Sequence, residues 1–131
     1  MSASPGLVIV VDDDAAVRNS LKFSLELEGL DVRAYPGADE VLAEHDWPAR
    51  GCLVVDYDMP HMNGVELVDC LRKRSVDLPA ILITGKVNSA VRSSAACSGF
   101  RQVLEKPLED GALLDGIRGA LSTRLDRHCA H

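Results

Sequence analysis

Four short apolar segments of this chain each end on a polar residue, and this pattern most constrains how the chain can fold. The segments are residues 7–11, 53–55, 80–83 and 103–105, and their polar endings are Asp12, Asp56, Thr84 and Lys106. Runs rich in β-branched residues are typical of strands that are buried on both faces of a sheet. The sequence therefore predicts a parallel sheet covered by helices on both sides.

Segments with helical spacing alternate with these strands. Val17, Leu21 and Leu25 share one helix face before Gly29 ends that helix. Residues 32–35 form a fifth, partly polar strand that suits an edge position. The last helical segment places its apolar residues at Leu113, Ile117, Leu121 and Leu125. The alternation predicts an α/β fold, a single doubly wound (βα)₅ domain with a parallel sheet.

Right-handed crossovers bring the carboxyl ends of parallel strands to one edge, where open α/β sheets bind their ligands. We therefore expect the polar strand endings to lie within reach of one another. The expected group is Asp12, Asp13, Asp56, Thr84 and Lys106.

These residue types together suit phosphoryl transfer. Carboxylates at one edge repel each other, and a hard divalent cation, Mg²⁺ or Mn²⁺, relieves that repulsion. Asp56 stands alone after the most central strand, so it is the candidate nucleophile that would form an aspartyl phosphate. Asp13, with Asp12 behind it, is the candidate metal ligand. Lys106 offers a positive charge and Thr84 a hydroxyl donor to the phosphoryl oxygens.

Composition narrows the class of protein further. The 131 residues suit one domain over residues 7–125, with a disordered lead over 1–6 and a frayed tail over 126–131. A net charge of −6 disfavours direct binding to nucleic acid or to an anionic membrane. The apolar segments are too short to span a membrane, and residues 1–6 lack the layout of a signal peptide. Four cysteines without a Cys-x-x-Cys pair are expected to be reduced and mostly buried, as in a cytoplasmic protein.

The motifs at the strand ends resemble the receiver domain of bacterial two-component response regulators. They are Val11-Asp12-Asp13, Asp56-Tyr57-Asp58-Met59-Pro60-His61-Met62-Asn63-Gly64, Thr84-Gly85 and Glu105-Lys106-Pro107. The resemblance covers nearly the whole chain and implies a flavodoxin-like five-stranded parallel sheet of order 2-1-3-4-5. Val11-Asp12-Asp13-Asp14, followed by Val17-Arg18 and Ser20-Leu21, is further similar to the FixJ-type subclass. In that subclass a helix-turn-helix output domain commonly follows the receiver.

The resemblance also implies roles for the site residues. A sensor histidine kinase would phosphorylate Asp56, Lys106 would contact the phosphoryl group, and Thr84 would move toward it. The implied metal-binding set is Asp13, Asp56, the backbone carbonyl of Asp58, and Asp12 through a metal-bound water. The phosphorylated state would control an output partner or a homodimer formed through helix 4, strand 5 and helix 5. The sequence leaves open whether the chain acts alone or belongs to a longer regulator.

Two departures from the family pattern concern the switch and the mouth of the site. Many receivers carry an aromatic residue three positions before the lysine, where this chain has Val103, and Phe100 is not expected to replace it. The Thr84 half of the usual switch is intact. We also hypothesise that Asp58 and Lys86 pair across the mouth of the site and restrict the attacking water. An exposed pair of this kind would change hydrolysis of the acyl phosphate by less than about tenfold.

Three other interpretations of these residues stay open at the level of the sequence. The acidic run of residues 12–14 could simply complement the dipole of the helix that follows, and Asp14 is expected to do so. Asp56 and Asp58 resemble the D-x-D motif of haloacid-dehalogenase-type phosphatases. The chain could also be an interaction module that acts without phosphorylation.

Overall fold

A computed structural model describes residues 7–108 and 111–122. The strands are β1 (Leu7–Val11), β2 (Asp31–Tyr35), β3 (Gly51–Asp56), β4 (Ala80–Thr84) and β5 (Gln102–Glu105). The helices are α1 (Ala15–Leu27), α2 (Ala38–Leu42), α3 (Gly64–Lys73), α4 (Ser89–Cys97) and α5 (Ala112–Ser122). The strands are parallel and lie in the order β2-β1-β3-β4-β5. The predicted fold, strand order and edge position of the second strand are confirmed.

The core lies on both faces of the central strands because successive side chains of a strand point to opposite faces. On one face Val8, Val10 and Val54 pack with residues of α1 and α5, among them Leu25 and Ile117. On the other face the alternate residues of β1 and β3 pack with α2 and α3; they are Ile9, Val11, Leu53 and Val55. All residues of β3 and β4 are buried. The residues at the ends of these two strands are therefore held by a rigid core.

Polar caps define the starts of the three helices that follow β1, β3 and β4. Asp14 Oδ1 accepts hydrogen bonds from the backbone N–H groups of Ala16 (2.9 Å) and Val17 (3.3 Å), which confirms its expected place at the start of α1. Asn63 and Glu66 form a capping box at the start of α3. Asn88 caps α4 through a 2.9 Å bond from Val91 N. Since these caps stop the helices short of the strands, the strand endings stay in loops that face one edge of the sheet.

Some expectations fall outside the described residues or are wrong. The boundaries at residues 1–6 and 126–131, and Leu125 of the last helix, lie beyond the ranges that the structure describes. Cys52, Cys70 and Cys97 are free thiols, but only Cys52 of these three is buried, and Cys97 is exposed. Cys97 is the last residue of α4, on the side of the helix that faces away from the sheet, so helix phase exposes it. No described helix is long and apolar enough to cross a membrane.

Candidate functional site

The carboxyl ends of β1, β3 and β4 carry three buried polar side chains. Asp12 is 2% exposed, Asp56 is 3% exposed and Thr84 is 2% exposed. Strand register explains why two of them meet: Val11 pairs with Val55, so the residues that follow, Asp12 and Asp56, are also adjacent. Burying two carboxylates side by side is unfavourable unless a positive charge compensates them.

Lys106, which directly follows β5, provides a compensating positive charge. Its Nζ lies 3.4 Å from Asp56 Oδ1 and 3.6 Å from Asp12 Oδ2. The lysine side chain is 30% exposed, so it reaches the buried carboxylates while part of its length stays in solvent. The ammonium group that follows β5 thus lies next to the carboxylates that follow β1 and end β3.

The carboxylates of Asp12, Asp13 and Asp56 form a cluster that fits a divalent cation. One oxygen from each lies within 4.8 Å of the others, and Asp13 is exposed whereas Asp12 and Asp56 are buried. Asp12 Oδ1 accepts from Asp14 N at 2.9 Å, but the buried Asp12 Oδ2 has no hydrogen-bond partner. A buried carboxylate oxygen that accepts no hydrogen bond and has only the ion pair with Lys106, beside two other carboxylates, is the donor chemistry that Mg²⁺ selects. The residues present therefore fit Mg²⁺ or Mn²⁺.

Burial and charge shift the protonation of the two central groups. Burial, followed by the negative charge of Asp12, raises the pKa of Asp56 from 3.8 to about 6, although Lys106 opposes the shift. Partial burial disfavours the charged form of Lys106, but Asp56 and Asp12 outweigh it and hold the lysine pKa above its ordinary value. Near pH 7, Asp56 of the metal-free site is thus mostly ionised although burial and the charge of Asp12 disfavour the ionised form. The neighbouring Lys106 is positively charged.

The comparison with known families agrees with this geometry. Residues 8–118 match the model of the response regulator receiver domain. The chain belongs to this family. Among curated relatives, it is 39% identical over 119 residues to the C4-dicarboxylate transport transcriptional regulatory protein DctD of Pseudomonas aeruginosa, covering 89% of this chain and 25% of that protein. It is 38% identical over 114 residues to the transcriptional regulatory protein FixJ of Azorhizobium caulinodans, covering 87% and 54%.

Solved structures place this receiver domain in the same fold. The structure of FixJ-N superposes with a TM-score of 0.82 at 34% identity, covering 93% of this chain and 96% of that one. The response regulator StyR gives a TM-score of 0.82 at 37% identity, covering 95% and 63%. The chain spans about half, or less, of the length of DctD and of FixJ.

Thr84 lies at the same edge of the receiver domain, but its hydroxyl contacts the loop that follows it. Thr84 Oγ1 accepts a 3.3 Å hydrogen bond from Lys86 N and donates one of 3.3 Å to Lys86 O. Within the described residues no hydrogen bond joins Thr84 to Asp56. To donate to a phosphoryl group on Asp56, the Thr84 hydroxyl would therefore have to rotate away from the Lys86 backbone.

The expected pairing of Asp58 with Lys86 is wrong. Among the residues that the structure describes, no ion pair joins them. Asp58 Oδ2 instead accepts a 3.4 Å hydrogen bond from Gly85 N. The physical reason is that a backbone N–H one residue past β4 is closer to the Asp58 carboxylate than the long Lys86 side chain. Both residues line an open cleft of about 440 Å³ beside Thr84 and the start of α4, called the β4–α4 cleft below.

Val103 lies in a small cluster between the sheet and α4. It packs against Val65, Leu82 and Val91, with Tyr57 and Phe100 at the margin of the same cluster. Tyr57 also lines the β4–α4 cleft. Tyr57, the residue after Asp56, thus provides the aromatic ring in the cleft beside Thr84. Val103 of β5, at the position where many receivers have an aromatic residue, provides none.

Two residues, Arg18 and Gly64, support the site through contacts that the sequence did not predict. Arg18 Nη1 donates a 2.8 Å hydrogen bond to Asp12 O, which fixes the backbone next to the carboxylate cluster. Gly64 lies against Asp56, where a Cβ would come within 2.6 Å of Asp56 O. Gly64 is the last residue of the second motif, the one that begins at Asp56, and that position was the available signal. Nothing in the sequence around Arg18 indicates that its side chain binds the backbone carbonyl of Asp12, six residues earlier.

The raised pKa of Asp56 predicts how the stability of the metal-free receiver depends on pH. Because the folded-state pKa of about 6 lies above the ordinary 3.8, the folded state binds this proton more tightly than the unfolded state. Its contribution to stability is complete below about pH 4 and is lost as pH rises through about 6. In EDTA, Asp56→Asn removes this titration, so the variant should gain about 1–2 kcal/mol over wild type between pH 4 and pH 8.

The measurement is urea unfolding of wild type and Asp56→Asn at several pH values in that window, with Asp31→Asn as a matched carboxylate at the opposite end of the sheet. Parallel stability profiles for wild type and Asp56→Asn would show that Asp56 does not titrate in this way.

Proposed function

We propose that this receiver domain accepts a phosphoryl group on Asp56 from the phosphohistidine of a sensor histidine kinase. The observation that carries the proposal is the placement of Asp56, buried at the end of the central strand, with Lys106 Nζ 3.4 Å from its Oδ1. Asp12 and Asp13 complete the cluster around it. A carboxylate with a cation-binding cluster on one side and an ammonium on the other suits in-line phosphoryl transfer.

In the proposed step an ionised carboxylate oxygen of Asp56 attacks the phosphorus of the phosphohistidine. A P–O bond forms while the P–N bond breaks, and its electron pair returns to the imidazole nitrogen. Lys106 contacts the phosphoryl oxygens and offsets their charge. The hydroxyl of Thr84 rotates away from the Lys86 backbone and donates to the same group.

Asp12, Asp13, Asp56 and the backbone carbonyl of Asp58 would hold Mg²⁺ or Mn²⁺, with Asp12 acting through a bound water. When bound, the cation compensates the negative charge on carboxylates and phosphoryl oxygens. The Asp58 N–H, which donates to Asp56 Oδ1 at 3.3 Å, orients the nucleophile from this chain's own backbone.

The relatives support a proposal about the wider role of the receiver. DctD and FixJ are transcriptional regulatory proteins, and this chain spans about half or less of each. We propose that residues 7–125 form the receiver unit, that the kinase and an output partner or second copy are its partners, and that it works in the cytoplasm. The dimer would use the face of α4, β5 and α5. With a net charge of −6, the receiver itself is not expected to bind nucleic acid directly.

Incubation with acetyl phosphate and Mg²⁺, followed by intact mass measurement, tests the proposed function. We expect one phosphoryl group per chain, none in Asp56→Asn, none in EDTA, and normal modification of Asp31→Asn. Repeated turnover of p-nitrophenyl phosphate would instead support a phosphatase of the haloacid-dehalogenase type. An unmodified wild type would support an interaction module that acts without phosphorylation.

A further inference from the structure

The carboxylate of Asp58 links two loops at the mouth of the site. It stands outside the cluster of Asp12, Asp13 and Asp56, and its Oδ2 accepts from Gly85 N at 3.4 Å. A Cβ placed on Gly85 would meet no atom nearer than that same Oδ2, at 3.8 Å. Asp58 is therefore both the acceptor of the Gly85 N–H and the nearest group to the open space beside the Gly85 Cα.

The donors at the end of β4 are both engaged by partners other than Asp56. Thr84 Oγ1 is bonded to the backbone of Lys86, and the Gly85 N–H is bonded to Asp58. A backbone N–H that binds one anionic oxygen at this position is equally suited to an oxygen of a phosphoryl group carried by neighbouring Asp56. The carboxylate of Asp58 thus occupies a donor that the phosphorylated site would use.

We propose that Asp58 is an internal competitor of the phosphoryl group: its carboxylate holds the Gly85 amide in the unphosphorylated receiver and must release it when Asp56 is phosphorylated. The proposal rests on the phosphoacceptor function of Asp56. It makes Asp58 a positioning residue that lowers the affinity of the site for a phosphoryl group.

Charge and space both favour this exchange. A phosphoryl group on Asp56 adds negative charge two residues from Asp58, and like charges in one cleft repel. Asp58 is exposed and borders the β4–α4 cleft of about 440 Å³, so its side chain can rotate into water. Gly85 then donates to the phosphoryl group in place of the carboxylate.

The test compares the affinity of four proteins for beryllofluoride at saturating Mg²⁺: wild type, Asp58→Ala, Asp58→Glu and Asp31→Asn. Asp58→Ala removes both the acceptor and the charge. Asp58→Glu keeps the charge but moves the carboxylate one methylene further from Gly85. Asp31, exposed at the start of β2, is a matched carboxylate at the far end of the sheet. We expect Asp58→Ala and Asp58→Glu to bind about threefold to tenfold more tightly than wild type, and Asp31→Asn to equal wild type.

Two outcomes would overturn the proposal. If Asp58→Ala gains affinity while Asp58→Glu matches wild type, charge alone acts and the Gly85 contact is not involved. If neither variant gains affinity, or if Asp31→Asn gains as much, Asp58 is not a competitor.

A second readout uses the unphosphorylated protein without metal. We expect amide hydrogen exchange at Gly85 to accelerate in Asp58→Ala relative to wild type, and exchange in β1 and β3 to stay unchanged; equal exchange at Gly85 would contradict the contact. This readout tests the contact between Asp58 and Gly85 independently of the phosphoacceptor function of Asp56. If wild type binds no beryllofluoride, or if binding survives in Asp56→Asn, the phosphoacceptor function fails whether or not Gly85 reports the contact.

Discussion

Replacing Lys106 with Met should slow the phosphorylation of Asp56 by acetyl phosphate by about 100-fold or more. Lys106 Nζ contacts both Asp56 Oδ1 (3.4 Å) and Asp12 Oδ2 (3.6 Å), and both carboxylates are buried. Methionine keeps most of the side-chain volume but removes the positive charge. The transferred group then loses the ammonium that would offset its developing charge in a site partly shielded from water.

The same substitution also acts on the nucleophile. Because the charge of Lys106 lowers the pKa of Asp56, its loss raises that pKa further above 6 and leaves less of the reactive carboxylate near neutral pH. We therefore expect Asp56 of metal-free Lys106→Met to titrate at a higher pH than Asp56 of the wild type, as followed by the NMR signal of its carboxyl group in EDTA. Rates would be followed by intact mass at saturating Mg²⁺.

Lys22→Met is the matched control for this prediction. Lys22 forms an exposed ion pair with Glu26 on α1, with Nζ 2.7 Å from the carboxylate, and both side chains are more than 40% exposed. We expect the control to phosphorylate at the wild-type rate. A Lys106→Met rate within about threefold of wild type would remove the lysine from the proposed mechanism.

Replacing Gly64 with Ala should destabilise the receiver domain by about 3 kcal/mol. The first residue of α3 lies beneath the end of β3, so a Cβ there would stand 2.6 Å from Asp56 O and 2.9 Å from Val55 Cγ1. Neither neighbour can move freely, because the backbone of a central strand is paired on both sides. The strain falls on the residue that carries the proposed nucleophile, so phosphorylation should weaken as well.

Gly119→Ala is the matched glycine control. Gly119 lies inside α5, and a Cβ there would meet Arg101 Nη2 at 3.8 Å, an ordinary contact distance. Since alanine favours helix more than glycine does, we expect this variant to gain about 0.5–1 kcal/mol. Urea unfolding measures both variants. If Gly64→Ala unfolded at the wild-type urea concentration, the close approach of α3 to Asp56 would not be real.

Some of the site could be predicted from the sequence because it depends on local features. Strand ends are visible where an apolar run meets a polar residue, and parallel connections carry those ends to one edge. That reasoning was enough to group Asp12, Asp56 and Lys106, and the structure places these three in contact. The cap at Asp14 was equally local, since a cap bonds to the next turn of its own helix.

Other features depend on how separate loops approach each other, and here sequence reasoning failed. Asp58 bonds to Gly85 and not to Lys86, and Cys97 is exposed and not buried. A carboxylate in a loop could bind any of many hydrogen-bond donors, and the sequence does not say which of them lies nearby. The one it binds is fixed by the backbone path of both loops, which no short motif encodes.

By itself, then, the sequence determined the fold, the strand order that the family resemblance implied, and the set of polar residues at the sheet edge. Only the tertiary structure decided how those residues differ: Asp12 buried and Asp13 exposed, Lys106 shared between two carboxylates, and Thr84 turned to the Lys86 backbone. The reason is physical. Hydrophobic period and chain connectivity are properties of single segments, whereas burial, ion pairing and donor choice arise only when four loops from different strands occupy the same few ångströms.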